Sequence, residues 1–287
     1  MEADDETIHA PGTDVSFFIR HIFDLQTEEI MTTVTRTRMN ETMGTFSERF
    51  PVLYDIESRQ KKADKVVAVC QHFSFRPLND LVCLDLGSST GIMTERFAEN
   101  FRTIIALDVD TEGLKWGKEN SRRKNIEFLC ADGTEISLAD NSVDVIICNQ
   151  IYEHVDRQEE LMSEIFRVLK YDGFCYFGAG NRYVLIEGHY FLPFLSWLPH
   201  WLADIYMKLA GKKGIYDVRL LSLKKLKFLT GNFWRHDYTN MIFENPESFC
   251  ADDVIRKGNI ISRLPRRIFT MIYPLFPAWV WVLTKKK

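Results

Sequence analysis

The chain has 287 residues, 46% of them hydrophobic, enough to fill a sizeable core, which excludes a tail or a disordered adaptor. Charged residues make up 26% and the formal net charge is −4, so the whole-chain average shows neither the basic excess of a nucleic-acid binder nor an acidic tail. That average hides an asymmetry: residues 201–287 hold 16 Lys and Arg against 7 Asp and Glu, while residues 1–200 hold 20 against 33.

Residues 1–16 are polar and without apolar period, the composition of a disordered tail. Their acidic character lacks the basic and apolar regions of a secretory leader. A short amphipathic helix is expected over residues 16–30, from Phe17, Phe18, Ile22, Phe23, Leu25 and Ile30. Residues 1–50 are therefore read as a tail and arm. A helix is expected over residues 61–73, where Val66, Val67, Val69, Cys70 and Phe73 follow a helical period, closed by Pro77. Apolar strands are expected at 81–86, 103–108, 126–130, 143–148 and 174–178, with helices between them. The last of these helices has Asp156 and Glu159 at capping-box spacing, shares Leu161, Ile165, Val168 and Leu169 on one face, and stops at Asp172-Gly173. Strands alternating with helices predict a doubly wound α/β core over residues 51–180 with a mostly parallel sheet.

After Gly180 the rhythm changes. Residues 190–209 are aromatic and broken by prolines, and a basic GKKG connection and a second helical run over 220–229 follow. Residues 181–232 are read as an inserted helical cap over the carboxyl ends of the strands, where open α/β sheets bind ligands. Residues 233–243 and 278–284 read as two further strands, so that residues 233–287 complete the sheet as a hairpin-like edge. The six cysteines, Cys70, Cys83, Cys130, Cys148, Cys175 and Cys250, include no C-x-x-C pair, which predicts reduced thiols in a cytoplasmic protein and no metal site.

Residues 81–91, LVCLDLGSSTG, form the most informative segment: a strand ending in an acidic residue runs into a Gly-x-x-x-Gly turn and a helix. A dinucleotide fingerprint would read G-x-G-x-x-G and set a pyrophosphate on the helix N-terminus. Here Asp85 stands where a diphosphate would be repelled, so a ligand with a positive end is expected. Asp85, Gly87, Ser89 and Gly91 together resemble the first motif of class I S-adenosylmethionine-dependent methyltransferases, with serine at the middle glycine. Further matches follow in order over residues 80–180. The resemblance implies that Asp108, ending the second strand, accepts the ribose hydroxyls with Val109 beside it. It also implies that Asp132, flanked by Ala131 and Gly133, meets the adenine amino group, and that Asn149 and Gln150 lie beside the donor methyl.

The family's fold is a Rossmann-like seven-stranded sheet with an antiparallel last strand, and its cofactor is S-adenosyl-L-methionine. An ordinary strand-helix turn and a dehydrogenase are the competing readings of the glycine segment. The second glycine and the missing Tyr-x-x-x-Lys speak against a dehydrogenase. His154, in the Glu-His pair after the fourth strand, is the candidate catalytic residue, with Glu153 as a positioning group and Tyr152 as a pocket wall. His189, His200 and His236 are expected to be structural.

The scaffold specifies the donor and leaves the acceptor open. The aromatic cap, with Phe191, Phe194, Trp197, Trp201, Tyr206 and Met207, favours a small apolar or amphiphilic acceptor, a lipid, quinone, sugar or related metabolite, over nucleic acid. The apolar run 268–283 holds Pro274 and Pro277 and is too short to span a bilayer, and residues 278–284 within this region are read as the last core strand. A second reading gives Arg263, Arg266, Arg267 and the terminal lysines a peripheral contact with an anionic membrane. The rival to an enzyme is a donor-binding regulatory or scaffolding protein without catalysis.

Overall fold

The computed structural model describes residues 51–253, 255 and 265–286. The arm over residues 1–50, including the helix expected at 16–30, and Arg263 lie outside the described residues. The first long helix, α1 (Ile56–Phe73), starts five residues before the expected residue 61, because Asp55 caps it by accepting the Ser58 N–H at 3.2 Å. There follow β1 (Val82–Leu86), α2 (Ile92–Phe97), β2 (Thr103–Asp108), α3 (Thr111–Asn120), β3 (Ile126–Cys130), β4 (Val143–Asn149), α4 (Gln158–Val168) and β5 (Leu169–Gly180). After these come α5 (His200–Leu209), α6 (Leu223–Leu229), β6 (Phe233–Asp237), α7 (Thr239–Glu244), α8 (Arg266–Ile272) and β7 (Ala278–Lys285).

The seven strands form one sheet in the order β3-β2-β1-β4-β5-β7-β6. The pairs from β3 to β5 are parallel, and β7 runs antiparallel between β5 and β6. This is the mostly parallel, Rossmann-like sheet that the alternation predicts. The strand order reverses between β1 and β4, the switch point where such sheets open a crevice at their carboxyl ends.

Side chains alternate across each strand, so both faces of the sheet are apolar. Leu84, Leu86, Ile146 and Cys148 join α4 and Leu226 of α6 in one core cluster. Cys83, Val145 and Ile147 join α1 and Phe97 of α2 in the other. The cap has a small core of its own in Leu195, Ala203, Met207, Tyr216 and Val218.

Four local expectations are corrected. α4 is not capped by Asp156: the capping position is Arg157, which makes no side-chain cap, and Asp156 is drawn away to the Arg219 Nε at 2.6 Å. β5 starts at Leu169 and runs through Asp172-Gly173, which form no stop, because an irregularity in its register with β4 between Val143 and Val145 absorbs them. The last two strands do pair antiparallel at the sheet edge, but the first is shorter than expected: β6 ends at Asp237 rather than at residue 243, where α7 takes over, and β7 lies between β5 and β6. The terminal lysines are partly consumed by packing. Lys285 is buried, donates to Asn141 Oδ1 at 2.7 Å and lies over the Phe166 and Tyr171 rings, while Lys286 donates to the Gly231 carbonyl. Trp279 and Trp281 are buried in the sheet, as a last core strand requires.

Cys70, Cys83, Cys148 and Cys175 are buried, and Cys130 and Cys250 are exposed; all six are free thiols.

Candidate active site

Asp85 lies on the face of β1 that alternates with Leu84 and Leu86, so its side chain enters the layer between the sheet and helices α1 and α2. It is buried and accepts a 2.5 Å hydrogen bond from the Thr94 hydroxyl of α2. Burial pushes its pKa up to about 6, against the pull of Thr94 and of the Arg59 guanidinium on α1. Arg59 has a buried Nε without a hydrogen-bond partner, and burial lowers its pKa while Asp85 opposes that shift. Neither Arg59 nor Thr94 belongs to a sequence motif. The signal was only that α1 and α2 flank the strand.

The turn after β1 is shaped by Gly87 at φ +81° and Gly91 at φ +71°, and a Cβ at Gly87 would collide with the Ile151 side chain. Ser89, at φ +49°, donates its N–H to Asp108 Oδ2 at 2.7 Å, and the Asp110 N–H donates to Asp108 Oδ1 at 2.8 Å. Asp108 thus ties the glycine turn to the end of β2. Its pKa is raised by burial, against these backbone donors. The hydroxyls of Ser88 and Ser89 are buried and unpartnered. Two unpartnered hydroxyls on the glycine turn, and an arginine with an unpartnered Nε within electrostatic reach of a buried carboxylate, fit a ligand with a zwitterionic end. The amino-acid moiety of S-adenosylmethionine is such an end.

At the third strand Asp132 is half exposed and turned toward its own loop. It accepts from the Thr134 N–H and hydroxyl at 2.8 Å each and from Arg157 Nη2 at 3.3 Å. These donors, the Thr134 N–H foremost, hold its pKa below the usual carboxylate value. Val109 is exposed between this loop and β2, and the Ala131 N–H donates to the Asp108 carbonyl. Gly133 packs against Leu161 and Leu86.

Beyond β4, Gln150 turns the chain at φ +59° and donates its N–H to the Gly178 carbonyl at 2.9 Å, so the ends of β4 and β5 are joined beside Asn149. Tyr152 is a strut rather than a pocket wall. Its hydroxyl donates to the Gly180 carbonyl at 2.7 Å and accepts from the Leu221 N–H at 3.1 Å, clamping the returning chain of the cap to the sheet. Next to it Glu153 is wholly buried, and neither carboxylate oxygen has a hydrogen-bond partner. Burial raises its pKa to about 7, with the charge of nearby His189 pulling the other way. His189 Nδ1 lies 2.6 Å from buried Glu187 Oε1, and its ring meets that of His154 edge-on at 4.8 Å between centroids. Burial opposes the charge on His189, but Glu187 outweighs it and raises the pKa. His189 thus belongs to a polar group reaching the strand ends, which its aromatic sequence surroundings did not reveal. His200 and His236 bind the Tyr216 carbonyl and the Thr284 hydroxyl. Among the described residues no group of three or more His, Cys, Asp or Glu is placed to hold a metal ion.

The sheet order, with acidic residues at or just past the ends of β1, β2 and β3 around a glycine turn, agrees with the Rossmann-like fold of class I S-adenosylmethionine-dependent methyltransferases. Residues 84–177 match the family described as methyltransferase domain. The chain is 33% identical over 90 residues to a demethylmenaquinone methyltransferase of Renibacterium salmoninarum, covering 31% of this chain and 37% of that one. It is 24% identical over 167 residues to a ubiquinone biosynthesis O-methyltransferase of Parvibaculum lavamentivorans, covering 54% and 63%. The chain therefore spans less than two thirds of the length of either relative. A solved structure of a Pyrococcus horikoshii protein superposes with a TM-score of 0.54 at 15% identity, over 84% of this chain and 98% of that one, a likeness of fold.

Proposed function

We propose that the chain transfers a methyl group from S-adenosylmethionine to a small apolar or amphiphilic acceptor held between the ends of β4 and β5 and the cap. The observation that carries this reading is the buried carboxylate of Asp85 within electrostatic reach of Arg59, whose buried Nε has no hydrogen-bond partner, next to the glycine turn. Arg59 would take the donor's carboxylate, Asp85 and Thr94 its ammonium end, Asp108 its ribose, and Val109 and Asp132 its adenine. The donor supplies an electrophilic methyl on a sulfonium. The chain's own task is to align the acceptor and exclude water, and alignment alone is worth about 7 to 11 kcal/mol of barrier.

An acceptor hydroxyl must also lose a proton, and Glu153 is the group suited to receive it, being buried, unpaired and raised toward neutrality. His154 then serves through its edge contact with His189 rather than as the base. The quinone acceptors in the relatives' names agree with an amphiphilic substrate, and the aromatic cap supports the same class. The test of the donor assignment is calorimetry with S-adenosylhomocysteine. The wild-type chain should bind, and Asp108→Ala should lose at least tenfold in affinity. Unchanged affinity in the variant would remove Asp108 from the site.

A further inference from the structure

Helix α5 is apolar on two opposite faces. Ala203 and Met207 are fully buried in the cap's own cluster. Trp201, Ile205 and Leu209, four residues apart and so aligned on the other side, are 65%, 46% and 83% exposed. Just before the helix, the exposed rings of Phe194 and Trp197 meet edge-on at 5.3 Å, and Phe194 takes up φ +56°, a conformation that a bulky side chain rarely adopts. The cap thus turns five large apolar side chains to solvent in one chain segment, where scattered single exposures are the norm.

The charges around this stripe are sorted by sign. Lys208 falls beside the stripe on the helix surface, and Lys212 and Lys213 follow its C-terminus; Lys208 and Lys213 are exposed. The acidic residues of the same segment are turned inward: Asp204 accepts the Tyr216 N–H at 2.7 Å, and Asp217 accepts the Tyr190 hydroxyl at 2.8 Å. The outer face of the cap is therefore apolar with a cationic border. Among the described residues no helix is long and apolar enough to cross a membrane. An apolar stripe with flanking lysines on a short helix has instead the chemistry of an element lying in the headgroup plane of an anionic bilayer.

We infer that the outer face of α5, with Phe194 and Trp197, is a docking surface for an anionic lipid bilayer. The contact thus lies on the cap, away from Lys285 and Lys286, which pack against the sheet. Docked in this way the cap sits between the lipid phase and the strand ends. The acceptor class then narrows to bilayer-dissolved amphiphiles, a step that rests on the methyl-transfer reading.

The test is co-sedimentation of the full chain with vesicles of phosphatidylcholine alone and of phosphatidylcholine mixed with phosphatidylglycerol, at low and high salt. The wild-type chain should sediment with the anionic vesicles and less so at high salt. The variant Trp201→Ser/Ile205→Ser/Leu209→Ser should lose at least about tenfold in partitioning. Each of Lys208→Gln, Lys212→Gln and Lys213→Gln should lose about fivefold. Phe228→Ser, on α6 rather than α5, removes another exposed ring of the cap and should sediment like the wild-type chain.

A wild-type chain left in the supernatant would overturn the inference, as would a serine variant that sediments undiminished. So would a wild-type dimer that the serine variant converts to monomer without any vesicle binding, since the face would then join two copies. S-Adenosylhomocysteine calorimetry on the same variants separates the two readings. Vesicle binding without S-adenosylhomocysteine binding would end the methyl-transfer reading and leave the docking surface standing.

Discussion

Replacing Glu153 by glutamine removes a charge that the fold holds against its own stability. The carboxyl is fully buried, has no hydrogen-bond partner to lose, and titrates near 7 in the folded chain against 4.5 as its ordinary value. That difference corresponds to about 3 kcal/mol, since each pKa unit is worth about 1.4 kcal/mol. The sign follows from proton binding. Between pH 4.5 and 7 the folded state binds the proton more tightly than the unfolded chain, so the stability contributed by this group is complete below 4.5, falls as pH rises, and is lost above about 7. Glutamine does not titrate. Glu153→Gln should therefore lie about 1 kcal/mol below the wild-type chain near pH 4.5, because the amide buries one more unsatisfied donor than the protonated acid, and exceed it by up to about 2 kcal/mol near pH 8. Urea unfolding at a series of pH values measures both curves. If the difference between variant and wild type stayed constant from pH 5 to pH 8, Glu153 would not be the buried, isolated acid described here. Under the proposed chemistry the same variant loses methyl transfer, so stability and activity should move in opposite directions.

Two further substitutions probe the scaffold. Gly87→Ala places a Cβ at a positive φ and against Ile151, which should cost at least about 1 to 2 kcal/mol and reduce S-adenosylhomocysteine affinity by more than tenfold in calorimetry. Undiminished affinity would mean that the turn does not need to keep its shape to bind the donor. Trp279→Ala empties a fully buried position in the sheet interior next to Trp281 and should lower the unfolding free energy by about 3 to 5 kcal/mol. A urea-measured loss below about 1 kcal/mol would contradict the placement of β7 between β5 and β6.

The features legible in the sequence are those set by local rules. Alternating apolar runs located the parallel strands to within one residue at most ends, because a strand buried on both faces needs an unbroken apolar run. Gly87 and Gly91 were readable because a turn at positive φ excludes most other residues, and Asp85 and Asp108 because they stand at fixed steps from those glycines. What failed locally was settled by competition. Asp156 has the spacing of a helix cap but pairs with Arg219, which the cap's return brings within 2.6 Å. The terminal Lys285 suits a membrane surface by composition but meets Asn141 and two aromatic rings once β7 enters the sheet.

The sequence by itself thus determined an acidic donor-binding core and a basic, aromatic final third, and with them the class of donor. Only the tertiary structure decided which side chains carry charge into that core. Arg59 and Thr94 come to Asp85 from separate helices. Glu187 and His189 come to Glu153 from beyond β5. The folded chain likewise buried one apolar face of α5 and left the other in solvent. Burial and pairing depend on what packs across from a residue, and that neighbour is distant in the chain, so no local pattern encodes it.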